Sequence, residues 1–233
     1  MSESIVEFSG VYKKYCKKEV FKDLNLKIPK GKIVGLLGPN GSGKTTMIKL
    51  INGLTQCDKG EVTINSLKPG VYTKSIISYL PDKNYLNEDM NVKEIIKFFY
   101  DFYKDFNIDK AKDMVKSLNI DINDKLKTMS KGTKEKVGLI LVMSRNAQLY
   151  ILDEPIGGVD PASRAYIIKT ILRNYNEEST LLIATHLINE IESICDEVII
   201  ISNGEVIIQG EVDDIRGNKG MSIDSLFREE FKC

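Results

Sequence analysis

Apolar and polar positions along the chain fall into two alternating periods. Ile5–Phe8, Leu24–Ile28 and Ile33–Leu37 read as strands, and the last is almost wholly apolar. A strand with no polar face suits the middle of a parallel sheet covered on both sides. Lys44–Asn52 reads as a helix, followed by strands at Glu61–Asn65 and Ile76–Leu80. From Asp89 to about Leu141 the period becomes helical, with Val92, Ile95, Ile96 and Phe99 spaced i, i+3, i+4, i+7. Asp109–Leu118 and Lys134–Met143 continue that helical stretch, and no strand separates them. Strands resume at Leu149–Leu152, Leu181–Ala184, Val198–Ile201 and Val206–Gln209, with helices at Ala162–Tyr175 and Leu187–Ile194. The alternation predicts an α/β fold with a mostly parallel sheet and right-handed crossovers, interrupted by a helical insert.

The chain of 233 residues is 42% hydrophobic and 28% charged, ordinary for a globular protein, which excludes disorder as its main state. Lys plus Arg and Asp plus Glu are both 33, so no net charge draws the chain to nucleic acid or anionic lipid. No run approaches the roughly 18 apolar residues that a membrane helix needs. Met1-Ser2-Glu3-Ser4 does not open like a secretion signal, and nothing after Asp213 reads as an added regulatory domain. Cys16, Cys57, Cys195 and Cys233 form no C-x-x-C pair, so reduced thiols are expected.

Chemistry concentrates at strand ends. Gly38-Pro39-Asn40-Gly41-Ser42-Gly43-Lys44-Thr45 fits G-x-x-x-x-G-K-[ST], after an apolar strand and at the start of a helix. Its glycines let backbone N–H groups approach phosphate oxygens, and the helix N-terminus adds partial positive charge. Lys44 offers a full charge to the β- and γ-phosphates, and the Thr45 hydroxyl can ligate Mg²⁺. The strand Tyr150-Ile151-Leu152 ends in Asp153 and Glu154, one suited to the metal and the other to polarising water.

With these motifs in place, the sequence resembles the ATP-binding cassette (ABC) ATPases over essentially its whole length. Met129-Ser130-Lys131-Gly132-Thr133 resembles the family's signature L-S-G-G-Q, 23 residues before Asp153. Lys131 stands for a glycine there and Thr133 for the glutamine. The resemblance implies that this motif meets the γ-phosphate of ATP held by a partner subunit. Lys131 either adds charge to that contact or points to solvent. Gly157-Gly158-Val159-Asp160 resembles the D-loop, and the only histidine, His186, falls where the family has its H-loop histidine beside the γ-phosphate. The resemblance makes Glu154, His186 and Lys44 catalytic and gives ATP to Gly38–Thr45 and Thr46. It also implies an aromatic that stacks on adenine, Tyr15, with Tyr12 as competitor. The family's Q-loop glutamine is replaced by Asp82 after Pro81, which is either a metal contact alongside Thr45 and Asp153 or a turn residue.

The same resemblance implies one ABC ATPase domain, with an antiparallel β subdomain near its N-terminus. Its α/β core would span about 1–84 and 148–233, and a helical subdomain about 85–147. ATP and Mg²⁺ are the implied cofactors. A single P-loop and a single signature imply a homodimer, or a heterodimer with a related subunit. Separate transmembrane permease subunits and a cytoplasmic, membrane-peripheral location are implied too, and nucleic acid is not. Phe98, Phe99, Phe102 and Tyr103 either dock the permease's coupling helix or only pack the insert. The Ser-Lys-Gly signature and the Pro-Asp loop resemble bacterial exporters of peptides or antibiotics. Two rivals, a ribosome- or nucleic-acid-directed ATPase and a P-loop kinase, fit less well. The first would carry two cassettes or a coiled coil, and the second lacks use for Ser130, Asp160 and His186.

Overall fold

The computed structural model describes residues 3–16, 18–157 and 159–231, so Gly158 of the D-loop motif and Cys233 lie outside the described residues. Two strands near the N-terminus, β1 (Ser4–Tyr15) and β2 (Lys18–Pro29), form a long antiparallel hairpin, and β4 (Lys59–Ile64) pairs with the other edge of β1. Both hairpin strands run far beyond the short apolar cores the sequence predicts. Tyr15 therefore lies at the hairpin's tip, opposite Lys18. The extra length is strongly polar, with Lys13, Lys14, Lys18, Glu19, Lys22 and Asp23, and register shifts along β1 break the alternation.

The second sheet has six strands in the order β5 (Ile77–Leu80), β6 (Leu149–Asp153), β7 (Thr180–Thr185), β3 (Ile33–Leu37), β8 (Glu197–Ser202) and β9 (Glu205–Glu211). Its first five strands are parallel and β9 is antiparallel. Every residue of β3, β6 and β7 is buried, as their largely apolar sequences demand, and the one charged residue among them, Asp153, ends β6 at the sheet edge. Alternate side chains serve two cores. Val34, Leu36, Leu149, Ile151 and Leu182 pack with the antiparallel sheet and α1 (Lys44–Ile51). Leu37, Tyr150, Leu152, Leu181 and Ile183 pack with the helices on the opposite face.

Those helices are α3 (Val92–Phe102), α4 (Ile108–Ser117) and α5 (Lys131–Met143), then α6 (Pro161–Asn174) and the single turn α7 (Ile188–Ile191). A short α2 (Val71–Ser75) precedes β5. Asn91 caps α3 reciprocally with Glu94, Asn107 caps α4, and Ser130 caps α5. The chain after Glu211 forms α8 (Val212–Lys219) and α9 (Ile223–Phe231), which seat Val212, Ile223 and Leu226 in the interior. Among the described residues no helix is long and apolar enough to cross a membrane.

One buried cation ties the helical insert to the sheet. Arg145, 4% exposed, meets Asp105 with Nε 3.0 Å from Oδ1 and Nη2 3.0 Å from Oδ2. Its Nη1 donates to Ile77 O at 2.6 Å, its Nη2 donates to Ser75 O, and its guanidinium lies 3.8 Å from the centre of the Tyr103 ring. Removing it leaves a carboxylate and two carbonyls without their donor. Arg145→Ala is expected to lower stability by about 3–5 kcal/mol, read as a lower denaturant midpoint.

Candidate nucleotide site

Three neighbouring strands end together. In sheet order β6, β7 and β3 are adjacent, Asp153 is in register with Ala184, and Leu37 with Thr185. The phosphate loop after β3, the acidic pair ending β6 and His186 after β7 therefore share the C-terminal edge of one sheet, where open α/β sheets bind ligands.

Backbone geometry shapes the loop. Gly43 has φ 118 and precedes α1, and a Cβ there would come within 2.7 Å of Phe21 Cε1. Gly38 passes so close to the β8 end that a Cβ would sit 2.4 Å from Ile201 O. No side chain caps α1, and its first turn holds no acid, so its first N–H groups point toward the loop. The Ser42 hydroxyl is buried with no hydrogen-bond partner among the described residues. Lys44, 6% exposed, donates to Gly38 O at 2.6 Å and Pro39 O at 3.3 Å. Burial lowers the pKa of its ammonium, and the Glu154 and Asp153 carboxylates partly oppose that shift. An orphaned hydroxyl, a desolvated cation and a helix N-terminus suit a phosphate chain.

A cavity of about 320 Å³ opens here. Tyr15, Asn40, Gly41, Gly43, Lys44, Thr45 and Thr46 line it, together with Asp82, Asp153 and Glu154. Tyr12 does not, and neither does any of Ser130–Thr133. Lys18 and Val20 also line the cavity. No sequence signal points to this pair, because only the hairpin's register brings them beside Tyr15. Lys13 Nζ lies 5.0 Å from the centre of the Tyr15 ring and donates to Gln56 O at 2.7 Å.

Oxygen donors cluster at the cavity's acidic end. Thr45 Oγ1 donates to Asp153 Oδ2 at 3.3 Å. Burial first, then the charge of Asp82, pushes the Asp153 carboxyl up to about 6, with the Thr45 hydrogen bond pulling the other way. A buried carboxylate crowded by a second one, with a hydroxyl attached, is a donor set that suits a hard divalent cation such as Mg²⁺. Among the described residues no group of three His, Cys, Asp or Glu side chains could hold a metal by itself.

Glu154 is held from β7. Thr185 Oγ1 donates to its Oε2 at 3.0 Å, and His186 Nδ1 lies 3.0 Å from both carboxylate oxygens. Glu154 has φ 51, an uncommon conformation for a side-chain-bearing residue, and its N–H donates to Ala184 O at 2.8 Å. Of the signature residues only Lys131 comes near this end, lining an adjoining cavity of about 500 Å³ with Asp82, Asp153 and Glu154. Ser130 Oγ accepts from Thr133 N at 3.2 Å, while Lys131 is exposed, 3.7 Å from Glu135. Asp160 stands just before α6 and is exposed. In α3 Phe99 is buried, whereas Phe98 and Phe102 are exposed and line an apolar cavity of about 460 Å³ with Tyr85, Met90 and Tyr103.

Residues 21–157 match the sequence family described as ABC transporter. An uncharacterised ABC transporter ATP-binding protein of Bacillus subtilis, YdbJ, is 34% identical over 88% of this chain and 69% of its own length. A solved ATP-binding subunit of an ABC transporter superposes with a TM-score of 0.87 at 26% identity, covering 97% of this chain and 99% of its own. The dimeric post-hydrolysis state of an ATP-binding cassette bound to ADP and phosphate shares the fold at 23% identity, with a TM-score of 0.76 over 88% of this chain and 98% of its own. Motifs, sheet order and these likenesses converge, and the chain belongs to the ABC transporter family as an ATP-binding subunit.

Proposed function

We propose that the chain hydrolyses ATP to ADP and phosphate between two head-to-tail ABC subunits, and that this drives export through separate membrane-spanning permeases. The observation that carries the reading is Glu154, poised at a sheet edge shared with the phosphate loop and fixed by Thr185 and His186. Its carboxylate accepts a proton from water attacking the γ-phosphorus, while Lys44 and the loop N–H groups take up charge on the phosphates. Tyr15 stacks on the base. Thr45 and Asp153, with Asp82 nearby, would hold Mg²⁺, which supplies charge neutralisation on the β- and γ-phosphates.

Ser130, Gly132 and Thr133 line neither the nucleotide cavity nor the adjoining one that Lys131 shares with Asp153 and Glu154, and this supports a second subunit that supplies the signature, Ser130, Lys131, Gly132 and Thr133, with Asp160 at the same interface. The dimeric cassette with ADP and phosphate is consistent with that arrangement. Exposed Phe98 and Phe102 offer an apolar groove for a permease helix, more than packing of the insert requires. Export, a homodimer or heterodimer, and a location at the inner membrane face rest on the family resemblance and the signature variant.

Phosphate release from MgATP by the purified chain tests the reading. Release should need no acceptor, and specific activity should rise with protein concentration as subunits pair. Release that depends on an added small-molecule acceptor would favour the kinase reading. Specific activity independent of concentration across the monomer range would remove the shared site.

A further inference from the structure

The loops after β6 and β7 are joined at two places. At the inner place Glu154 faces His186. At the outer place one side chain, Arg164 in the first turn of α6, grips both loops. Its Nε donates to Val159 O at 3.0 Å, and its Nη1 donates to Glu190 Oε1 at 3.2 Å. Val159 lies on the stretch that leads from Glu154 into α6, and Glu190 sits on α7, four residues beyond His186.

The element carrying Glu190 cannot hold its own position. α7 is four residues long and has no side-chain cap, far below the length at which a helix is stable by itself. Its placement comes from tertiary contacts. Ile188 and Ile191 are buried, and Glu190 is tied to Arg164. Glu192 just beyond it accepts from Arg216 Nε at 2.8 Å and from the Ile223 and Asp224 N–H groups at the start of α9. The C-terminal helices thus anchor this segment through Glu192 and through Asn189, whose amide nitrogen donates to Asp224 Oδ1 at 2.8 Å, and Arg164 adds the tie to the loop carrying Glu154. The Arg164 and Glu190 side chains are 23% and 33% exposed, so solvent screens their pairing only in part. A guanidinium can serve two acceptors at fixed angles, which a lysine ammonium does poorly.

We propose that Arg164 is a positioning residue for hydrolysis: by bridging Val159 O to Glu190 it holds α7, and with it His186, in register with the Glu154 carboxylate. This rests on the reading of Glu154 and His186 as the hydrolytic pair. It makes the loop after β6 and the loop after β7 move as one body, so a shift of the first at a subunit interface is passed to the histidine. Misplacing a catalytic group by about 1 Å can cost about 100-fold in rate.

His186 is the only histidine, so labelling histidine gives one imidazole spectrum that reports it alone. Arg164→Ala, Arg164→Lys and Glu190→Gln are compared with wild type and with Glu154→Gln. The expected result is a kcat about 10-fold lower in Arg164→Ala, with the KM for ATP within about twofold of wild type. Arg164→Lys should be intermediate. The imidazole signals of Arg164→Ala and Glu190→Gln should move along the line from wild type toward Glu154→Gln. A role in folding alone would lower the unfolding temperature but leave kcat and the imidazole signals of the folded protein unchanged, and would overturn the proposal. If Arg164→Ala does not fold, Glu190→Gln, which keeps the side chain's size, carries the same expectations. A wild-type rate in Glu154→Gln would remove the hydrolytic reading and this proposal with it. An inactive Glu154→Gln beside Arg164 variants with wild-type kcat and unmoved signals would remove the positioning role alone.

Discussion

Replacing Lys44 with alanine is expected to cut ATP hydrolysis by about 10²–10³-fold, the usual cost of removing a charge aimed at a reacting phosphate. Lys44 is nearly buried at the mouth of α1, and its hydrogen bonds go to two loop carbonyls. Burial lowers its pKa, so the free protein holds this charge against a desolvation cost. Alanine relieves that cost, and the fold should therefore survive the change. The expected pair of results is an unfolding temperature close to that of wild type and a loss of activity with weakened nucleotide binding. Measured binding by titration calorimetry at wild-type strength, together with wild-type turnover, would refute the role given to the phosphate loop.

Glu154→Gln is expected to slow hydrolysis by about 10²–10⁴-fold while leaving ATP binding intact. Glutamine keeps the size of the side chain and an oxygen that can accept from Thr185 Oγ1, so the local geometry should persist. What it loses is the ability to take a proton from water. Nucleotide affinity should change little, because the proposed ground-state contacts to the phosphates are those of the loop and α1. Single-turnover kinetics separate the two effects: binding at the wild-type rate, then a slow chemical step. A variant that turned over at the wild-type rate would move the general base to another residue.

The parts of this architecture that were legible in the sequence are contiguous ones. β3, β6 and β7 stand out because they are buried on both faces and contain no surface-facing residues. The phosphate loop is a single octet, and the Asp153-Glu154 pair and Thr185-His186 directly end their strands. The hairpin β1–β2 was legible only in its apolar half, since its outer half is lysine-rich and its register shifts disrupt the two-residue period. α5 starts three residues earlier than its apolar period suggests, because Ser130 caps it and its first turn is polar. The sequence reading predicts neither α8 nor α9. In α9 Ile223, Leu226, Phe227 and Phe231 recur at i, i+3, i+4 and i+8 and pack inward, a helical period that the strand-and-helix reading passes over, whereas α8 offers only Val212 and Ile215.

Contacts between residues distant in the chain left no trace in the sequence. Arg145 and Asp105 are 40 residues apart, and Arg164 and Glu190 are 26 apart. Each pair links two elements that the topology alone brings together. The same holds for Lys18 and Val20, which reach the nucleotide cavity only because the hairpin folds its tip toward the phosphate loop. Asp82, either a metal contact or a turn residue by sequence, lies near enough to Asp153 to raise its pKa and lines the same cavity.

Sedimentation velocity of Glu154→Gln with MgATP, with and without Ser130→Arg, tests most directly the claim that two subunits share each nucleotide. Glu154→Gln should form a dimer that appears only with ATP. The double variant should stay monomeric, because an arginine at position 130 would fill the contact across the interface. It should still bind ATP through its own phosphate loop. A dimer of equal stability in both variants would contradict the shared site. So would a Glu154→Gln chain that stays monomeric at every concentration, even in the presence of the proposed permease subunits.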